Sequence, residues 1–225
     1  INNGNVVFQS NTDVVLRTGI VINNSGASNF VFEDSSAMIQ LTNIQQTTPV
    51  TIKRSTKSLK NFEYTYWSTP VASTFTNTFP PQQNSNAVYT YQYPTPLPLN
   101  GWILQQTPST MTLGKGYAIR GQWCSPYPSC FVTAPQAQHT MSFVGIPNNG
   151  NISYTSNSTN EIHLIGNPYP SSLDAVTFML DNSGGGTRVR TLYFWTHNTV
   201  LSSTIPGNWI YNYTQDDYAI INRSG

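Results

Sequence analysis

The chain has 225 residues, with 10 Lys and Arg against 9 Asp and Glu, a net charge of +1 and only 8% charged residues. Asn, Ser and Thr make up a third of it, and 13 Tyr lead an aromatic content of 12%. So even a balance leaves no basic surface for nucleic acid, the aromatics argue against disorder, and the scarcity of Glu, Lys and Arg argues against long helices. Abundant Thr, Val, Ile, Tyr and Phe, punctuated by 15 Gly and 15 Pro, predict an all-β chain. No apolar run reaches the roughly 18 residues of a transmembrane segment. The opening Ile1-Asn2-Asn3-Gly4 is neither a signal peptide nor an initiator Met, so a piece of a larger polypeptide is expected.

Residues 1–52 carry short apolar triplets: Val6-Val7-Phe8, Val14-Val15-Leu16, Ile20-Val21-Ile22, Phe30-Val31-Phe32, Met38-Ile39 and Val50-Thr51-Ile52. Each is too short to form an independent hairpin core. Stacked in parallel, such strands bury a continuous interior while the Asn, Ser and Gly between them take left-handed and turn conformations. This predicts the terminal coils of a parallel β-helix or β-solenoid; the alternative is an antiparallel meander of short strands. Residues 53–60 hold Lys53, Arg54, Lys57 and Lys60, four of the ten cations. A polar, charged segment of this kind suits a junction that ends the stack.

Residues 61–225 are expected to form a β-sandwich-like domain. Its candidate strands are Phe62–Trp67, Ala87–Tyr93, Gly101–Leu104, Tyr117–Arg120, Met141–Gly145, Ile162–Ile165, Arg188–Trp195, Trp209–Tyr213 and Tyr218–Asn222. The Pro-rich stretch from Tyr93 to Asn100 must be a loop. One helix is predicted over Ser172–Leu180, capped by Ser171 or Ser172, with Leu173, Val176 and Leu180 on its apolar face. Cys124 and Cys130 bracket Ser-Pro-Tyr-Pro-Ser, and the three His lie far away in sequence. The isolated pair favours a local disulfide over a metal site. Two free thiols are the alternative if the compartment is reducing.

Five ordered segments resemble a known group. Phe62-Glu63-Tyr64-Thr65-Tyr66-Trp67-Ser68-Thr69-Pro70-Val71 is similar to the "YTYWSSPV" segment of large secreted proteins of Flavobacterium-like Bacteroidota. Met111–Arg120 resembles their "M-x-x-GKGY-x-x-R" and Leu164–Asp174 their "LIGNPYPSAID". Leu192–His197 and Asp217–Ile220 resemble the later "LYFWTH" and "DYA-x-YN", and the N-terminal stretch through Gln40 resembles the repeats preceding them. The resemblance implies type IX secretion, an extracellular or outer-surface location, and a role in surface attachment or gliding. It implies partners in the secretion machinery and in the remainder of a larger polypeptide. It brings no defined catalytic activity.

The residues themselves offer few sites. Gly114-Lys115-Gly116-Tyr117 lacks the spacing of a phosphate loop and reads as a tight turn entering a strand. Gly166-Asn167-Pro168-Tyr169-Pro170 reads as a rigid corner leading from strand to helix. His139, His163 and His197 have neither metal-ligand spacing nor nearby carboxylates. Asp174, Asp181, Asp216 and Asp217 are the acids available to a calcium ion, though no calcium-loop pattern surrounds them. No cofactor is expected. Tyr89, Tyr91, Trp102 and Trp123 are the candidate aromatic platform for an extracellular glycan, since sugar C–H groups pack on π faces while hydroxyls bond the polar edge. At period 2, Tyr89 and Tyr91 also fit a packed sheet face. The function expected is therefore a non-catalytic module of a secreted adhesin-like surface protein. The alternative is a fragment of a polysaccharide-degrading enzyme or its carbohydrate-binding module, which would need paired carboxylates or a Lys, Arg or Tyr base.

Overall fold

The structure is a computed structural model, and it describes residues 5–19, 30–59, 63–72, 88–91, 101–105, 110–120, 138–155, 162–184, 189–196, 198–199 and 213–222. Among these, the chain is all-β apart from one short helix and one 3-10 turn, with its strands in four sheets, none of them closed.

The apolar triplets become strands β1 (Val6–Phe8), β2 (Asp13–Leu16), β3 (Phe30–Phe32), β4 (Ala37–Gln40) and β5 (Val50–Ser55). The triplet Ile20-Val21-Ile22 lies outside the described residues. β1, β3 and β5 pair in parallel, as do β2 and β4. The offset is the same in both ladders: Val6 meets Phe30 and Asp13 meets Ala37, each 24 residues on. The corners repeat at that offset too. Asn11 and Ser35, 24 residues apart, both have positive φ, at 62° and 63°. A short polar side chain tolerates this left-handed conformation better than a branched one does.

Alternation within each strand sends one set of side chains inward. Phe8 packs on Phe30 and Phe32, at 6.1 and 4.6 Å between ring centroids. Phe32, Met38, Val50 and Ile52 are almost fully buried. β5 does not stop at the apolar triplet. It runs through Lys53, Arg54 and Ser55, and β10 (Thr140–Gly145) lies antiparallel along its whole length. Lys53 is held by Glu33 at 2.7 Å, and the Ser55 N–H donates to Asp34 Oδ1 at 2.9 Å.

A second sheet has the order β6 (Tyr64–Trp67), β9 (Tyr117–Arg120), β7 (Val88–Tyr91), β8 (Trp102–Leu104), all antiparallel. One face presents Trp67, Tyr117, Ile119 and Val88 to the ladders, and a single apolar cluster joins these to Phe32, Met38, Ile52 and Phe143. Trp67 and Phe143 bring the two parts together at 6.1 Å. A two-stranded sheet of β11 (Thr191–Trp195) and β12 (Tyr218–Asn222) completes the strands. The predicted strand Ile162–Ile165 reduces to one bridge, Ile165 to Lys115. The predicted strand Trp209–Tyr213 lies outside the described residues except for its last position.

The helix differs from expectation in its start and in its buried face. α1 spans Ala175–Asp181, and its cap is Asp174, whose Oδ1 accepts the Thr177 N–H at 2.6 Å. Ser171 and Ser172 stay outside it. The expected apolar face is turned to solvent, with Leu173, Val176 and Leu180 exposed by 44%, 54% and 56%. Met179 is buried instead, flanked by half-buried Ala175 and Phe178. The sequence carries two apolar stripes at helical spacing, and tertiary contact chooses the one through Met179.

Candidate functional site

Residues paired across strands project from the same side of a sheet. The registers Tyr64–Arg120, Tyr66–Ala118, Tyr89–Ala118 and Tyr91–Trp102 therefore place Tyr64, Tyr66, Tyr89, Tyr91, Trp102 and Arg120 on one face, opposite the apolar core. Of the candidate platform, Tyr89, Tyr91 and Trp102 thus come together, half-buried, while Trp123 lies outside the described residues. The Tyr91 ring stands edge-on to Trp102 at 5.3 Å. It also lies against Gly101, where φ is 91° and a Cβ would sit 2.7 Å from ring carbons, so glycine answers both the backbone and the space.

The sequence analysis missed the partners that cover this face. Trp195 on β11 stacks on Tyr66 at 5.7 Å and 23°, and Trp102 approaches Tyr66 at 5.9 Å. Tyr218 and Tyr213 meet Trp195 edge-on at 5.0 and 4.9 Å. The Trp195 indole N–H donates to the Tyr64 carbonyl at 2.8 Å, pinning the β11–β12 sheet to β6. The Tyr66 and Tyr218 hydroxyls share a 2.8 Å hydrogen bond. Arg120 donates to the Tyr64 hydroxyl at 2.9 Å and lies 5.5 Å from the centre of that ring. No local motif ties residue 66 to 195 and 218; only the shared alternation of Tyr and Trp on these strands hints at it.

Much of the aromatic surface is therefore spent on itself. Tyr66 uses its ring on Trp195 and Trp102. Half-exposed Tyr89, Tyr91 and Trp102, with Arg120 beside them, remain as a rim that can stack a sugar ring and hydrogen-bond its hydroxyls. Burial, and next the hydrogen bond with Tyr218, push the Tyr66 hydroxyl far above the usual phenol range. Burial, and next the charge of Glu63, do the same to Tyr213. Both stay neutral phenols at physiological pH, donors rather than proton-abstracting bases.

The other candidates are occupied with the fold. In the Gly114–Tyr117 turn, Gly114 takes φ of 74° and the Tyr117 hydroxyl accepts the Thr112 N–H at 2.8 Å. The Gly166–Pro170 corner is a clasp. Asn167 accepts from the Tyr169 N–H at 2.9 Å and donates to the Ser171 carbonyl at 2.6 Å, while the Tyr169 hydroxyl donates to the Gly150 carbonyl at 2.7 Å. Arg54 and the Met38 N–H reach the Pro170 carbonyl, both at 3.2 Å, and Lys57 reaches the Thr196 carbonyl at 3.2 Å. These cations of the 53–60 segment bond the chain itself.

Asp217 is fully buried, accepting the N–H groups of Thr199 at 2.6 Å and Thr214 at 2.8 Å. Burial raises its carboxyl, but those N–H donors outweigh it and the net direction is downward. Asp174 is engaged as the helix cap. Among the described residues, no three His, Cys, Asp or Glu converge as a metal site, and no helix is long and apolar enough to cross a membrane. Buried His139 has its imidazole lowered by desolvation, and His163 lies edge-on to Tyr154 at 5.6 Å. His197, Cys124 and Cys130 lie outside the described residues.

Fold and site together define a β-rich module of parallel ladders joined to an aromatic-faced antiparallel sheet. The chain belongs to the family described as Domain of unknown function (DUF8693), whose family model matches residues 1–225. No curated protein and no solved structure matches it.

Proposed function

We propose that this chain is a non-catalytic module of a large secreted, cell-surface adhesin-like protein. Residues 1–52 form the terminal coils of a β-solenoid, residues 53–60 the junction, and residues 61–225 a β-sandwich-like unit that ends the stalk. The observation that carries the reading is the repetition of strand, left-handed corner and strand at one 24-residue offset in two parallel ladders. Coils stacked in this way make a rigid stalk, each supported by its neighbours. The nearly neutral, amide- and hydroxyl-rich surface suits weak, repeated contact with glycans or solid surfaces, because such contacts do not depend on salt. The resemblance to type IX-secreted proteins supports an extracellular location.

The test is a glycan array with a cell-binding assay on the 225-residue chain, repeated with Trp102→Ala and Trp123→Ala. Binding by the parent, lost in a variant that still melts cooperatively, supports attachment through the aromatic rim. A parent that binds no glycan or surface is a structural spacer, and the attachment reading falls. A second reading, a carbohydrate-binding module of a polysaccharide-degrading enzyme, is favoured by the half-exposed Tyr89, Tyr91 and Trp102 beside Arg120. Release of reducing sugar from acidic or neutral glycans would overturn the non-catalytic assignment.

A further inference from the structure

The two ends of the ladders are finished differently. At one end β10 lies antiparallel on β5 and closes the sheet. At the other, among the described residues, nothing pairs with the outer edges of β1 and β2. Burial follows this asymmetry. Phe32, Met38 and Ile52 are at most 1% exposed, whereas Phe8, Val14 and Leu16, the equivalent inward residues one layer out, are only partly buried. Val6, Val7 and Val15 are exposed by 40%, 42% and 49%.

The backbone at this edge is set to pair. The Glu33 N–H donates to the Phe8 carbonyl and the Leu41 N–H to the Leu16 carbonyl, both at 3.0 Å. Successive residues of a strand turn their polar groups to opposite edges. Val7 and Val15 therefore aim their N–H and C=O groups away from the ladders. Natural edges are blunted by lysine, proline or bulges; residues 5–19 contain no lysine and no proline.

We propose that the β1–β2 end is a stacking surface for one further coil of the same pattern, supplied from outside residues 1–225. This rests on the stacked-coil reading above and names its open end. The geometry specifies the occupant. β1 and β2 begin seven residues apart, as do β3 and β4. An element that satisfies both edges at once is two short parallel strands at that spacing, joined by a left-handed corner, with apolar residues over Phe8 and over Val14 and Leu16.

The experiment duplicates residues 6–29 in tandem within the full chain, so that the added coil enters at the 24-residue register; a second protein carries a scrambled insert. Hydrogen exchange at Val7 and Val15 and the Tm are the readouts. The authentic repeat is expected to slow exchange at Val7 and Val15 at least about tenfold and to raise the Tm by about 3 °C, with no change from the scrambled insert. Val7→Pro in the original coil removes the edge N–H, spares the β1–β3 bonds and cancels the gain. If Val31 and Ile39 are unprotected in the original chain, the stacked-coil reading itself fails. If they are protected and the repeat changes nothing, this inference alone is wrong. Protection of Val7 in the original chain together with a dimer in sedimentation makes a second copy the occupant and also overturns it.

Discussion

Asn148 joins three parts of the molecule, and its removal is the most direct test of how they are held. Its side-chain amide donates to the Thr69 carbonyl at 3.1 Å and the Pro168 carbonyl at 2.8 Å. Its backbone N–H reaches the Pro70 carbonyl at 2.9 Å, and its own carbonyl accepts from Gln40 at 2.8 Å. Asn148→Ala keeps both backbone contacts and deletes both side-chain ones, leaving the carbonyls of two buried residues short of a donor. Each such loss costs about 1–1.5 kcal/mol, so roughly 2–3 kcal/mol is expected in total. For a chain of this size that is a fall in Tm of about 4–10 °C. Asn167→Ala is the matched control. It also loses two hydrogen bonds, but both are exposed and water replaces them, so the expected cost stays below about 1 kcal/mol. Urea unfolding and differential scanning calorimetry on the parent and both variants provide the measurement. If Asn148→Ala melts within about 1 °C of the parent, the clasp between β4, the segment after β6 and the Gly166–Pro170 corner is not what holds these parts together.

Three further outcomes follow from named geometry. Because Ser35 sits at φ of 63°, Ser35→Asn should stabilise by about 0.5 kcal/mol and Ser35→Val should destabilise by about 1–2 kcal/mol; equal urea midpoints for the two would contradict the left-handed corner. Asp217, with a folded carboxyl lowered by its N–H donors, contributes stability that is complete above the ordinary carboxylate range and is lost as pH falls from about 4 through the lowered value. Asp217→Asn should therefore be less stable at pH 7 and show a flatter acid limb, and an unchanged acid limb in thermal melts would refute this role. Cys124 and Cys130 are expected to be joined, so alkylation without reductant should leave the intact mass unchanged; two adducts would mean free thiols.

The sequence by itself determined the all-β class and the places of most strands, because those follow from local chemistry. Val6-Val7-Phe8, Phe30-Val31-Phe32 and Tyr117–Arg120 are β-branched or aromatic runs between turn-forming residues, and each became a strand where expected. Polar corners anticipated the left-handed Asn11 and Ser35 in the same way. Three matters were decided only by tertiary structure. The buried side of α1 was one, since the stripes through Val176 and through Met179 are equally apolar and only contact with the rest of the chain separates them. The covering of Tyr66 by Trp195 and Tyr218 was another, since it joins positions more than a hundred residues apart. The last was the continuation of β5 past its apolar triplet into Lys53–Ser55: a charged segment has little strand preference of its own, and it is held extended by β10, Glu33 and Asp34. Local pattern fixes what a segment prefers to be. Which neighbour it meets depends on long-range burial and hydrogen bonding, which no short window of residues encodes.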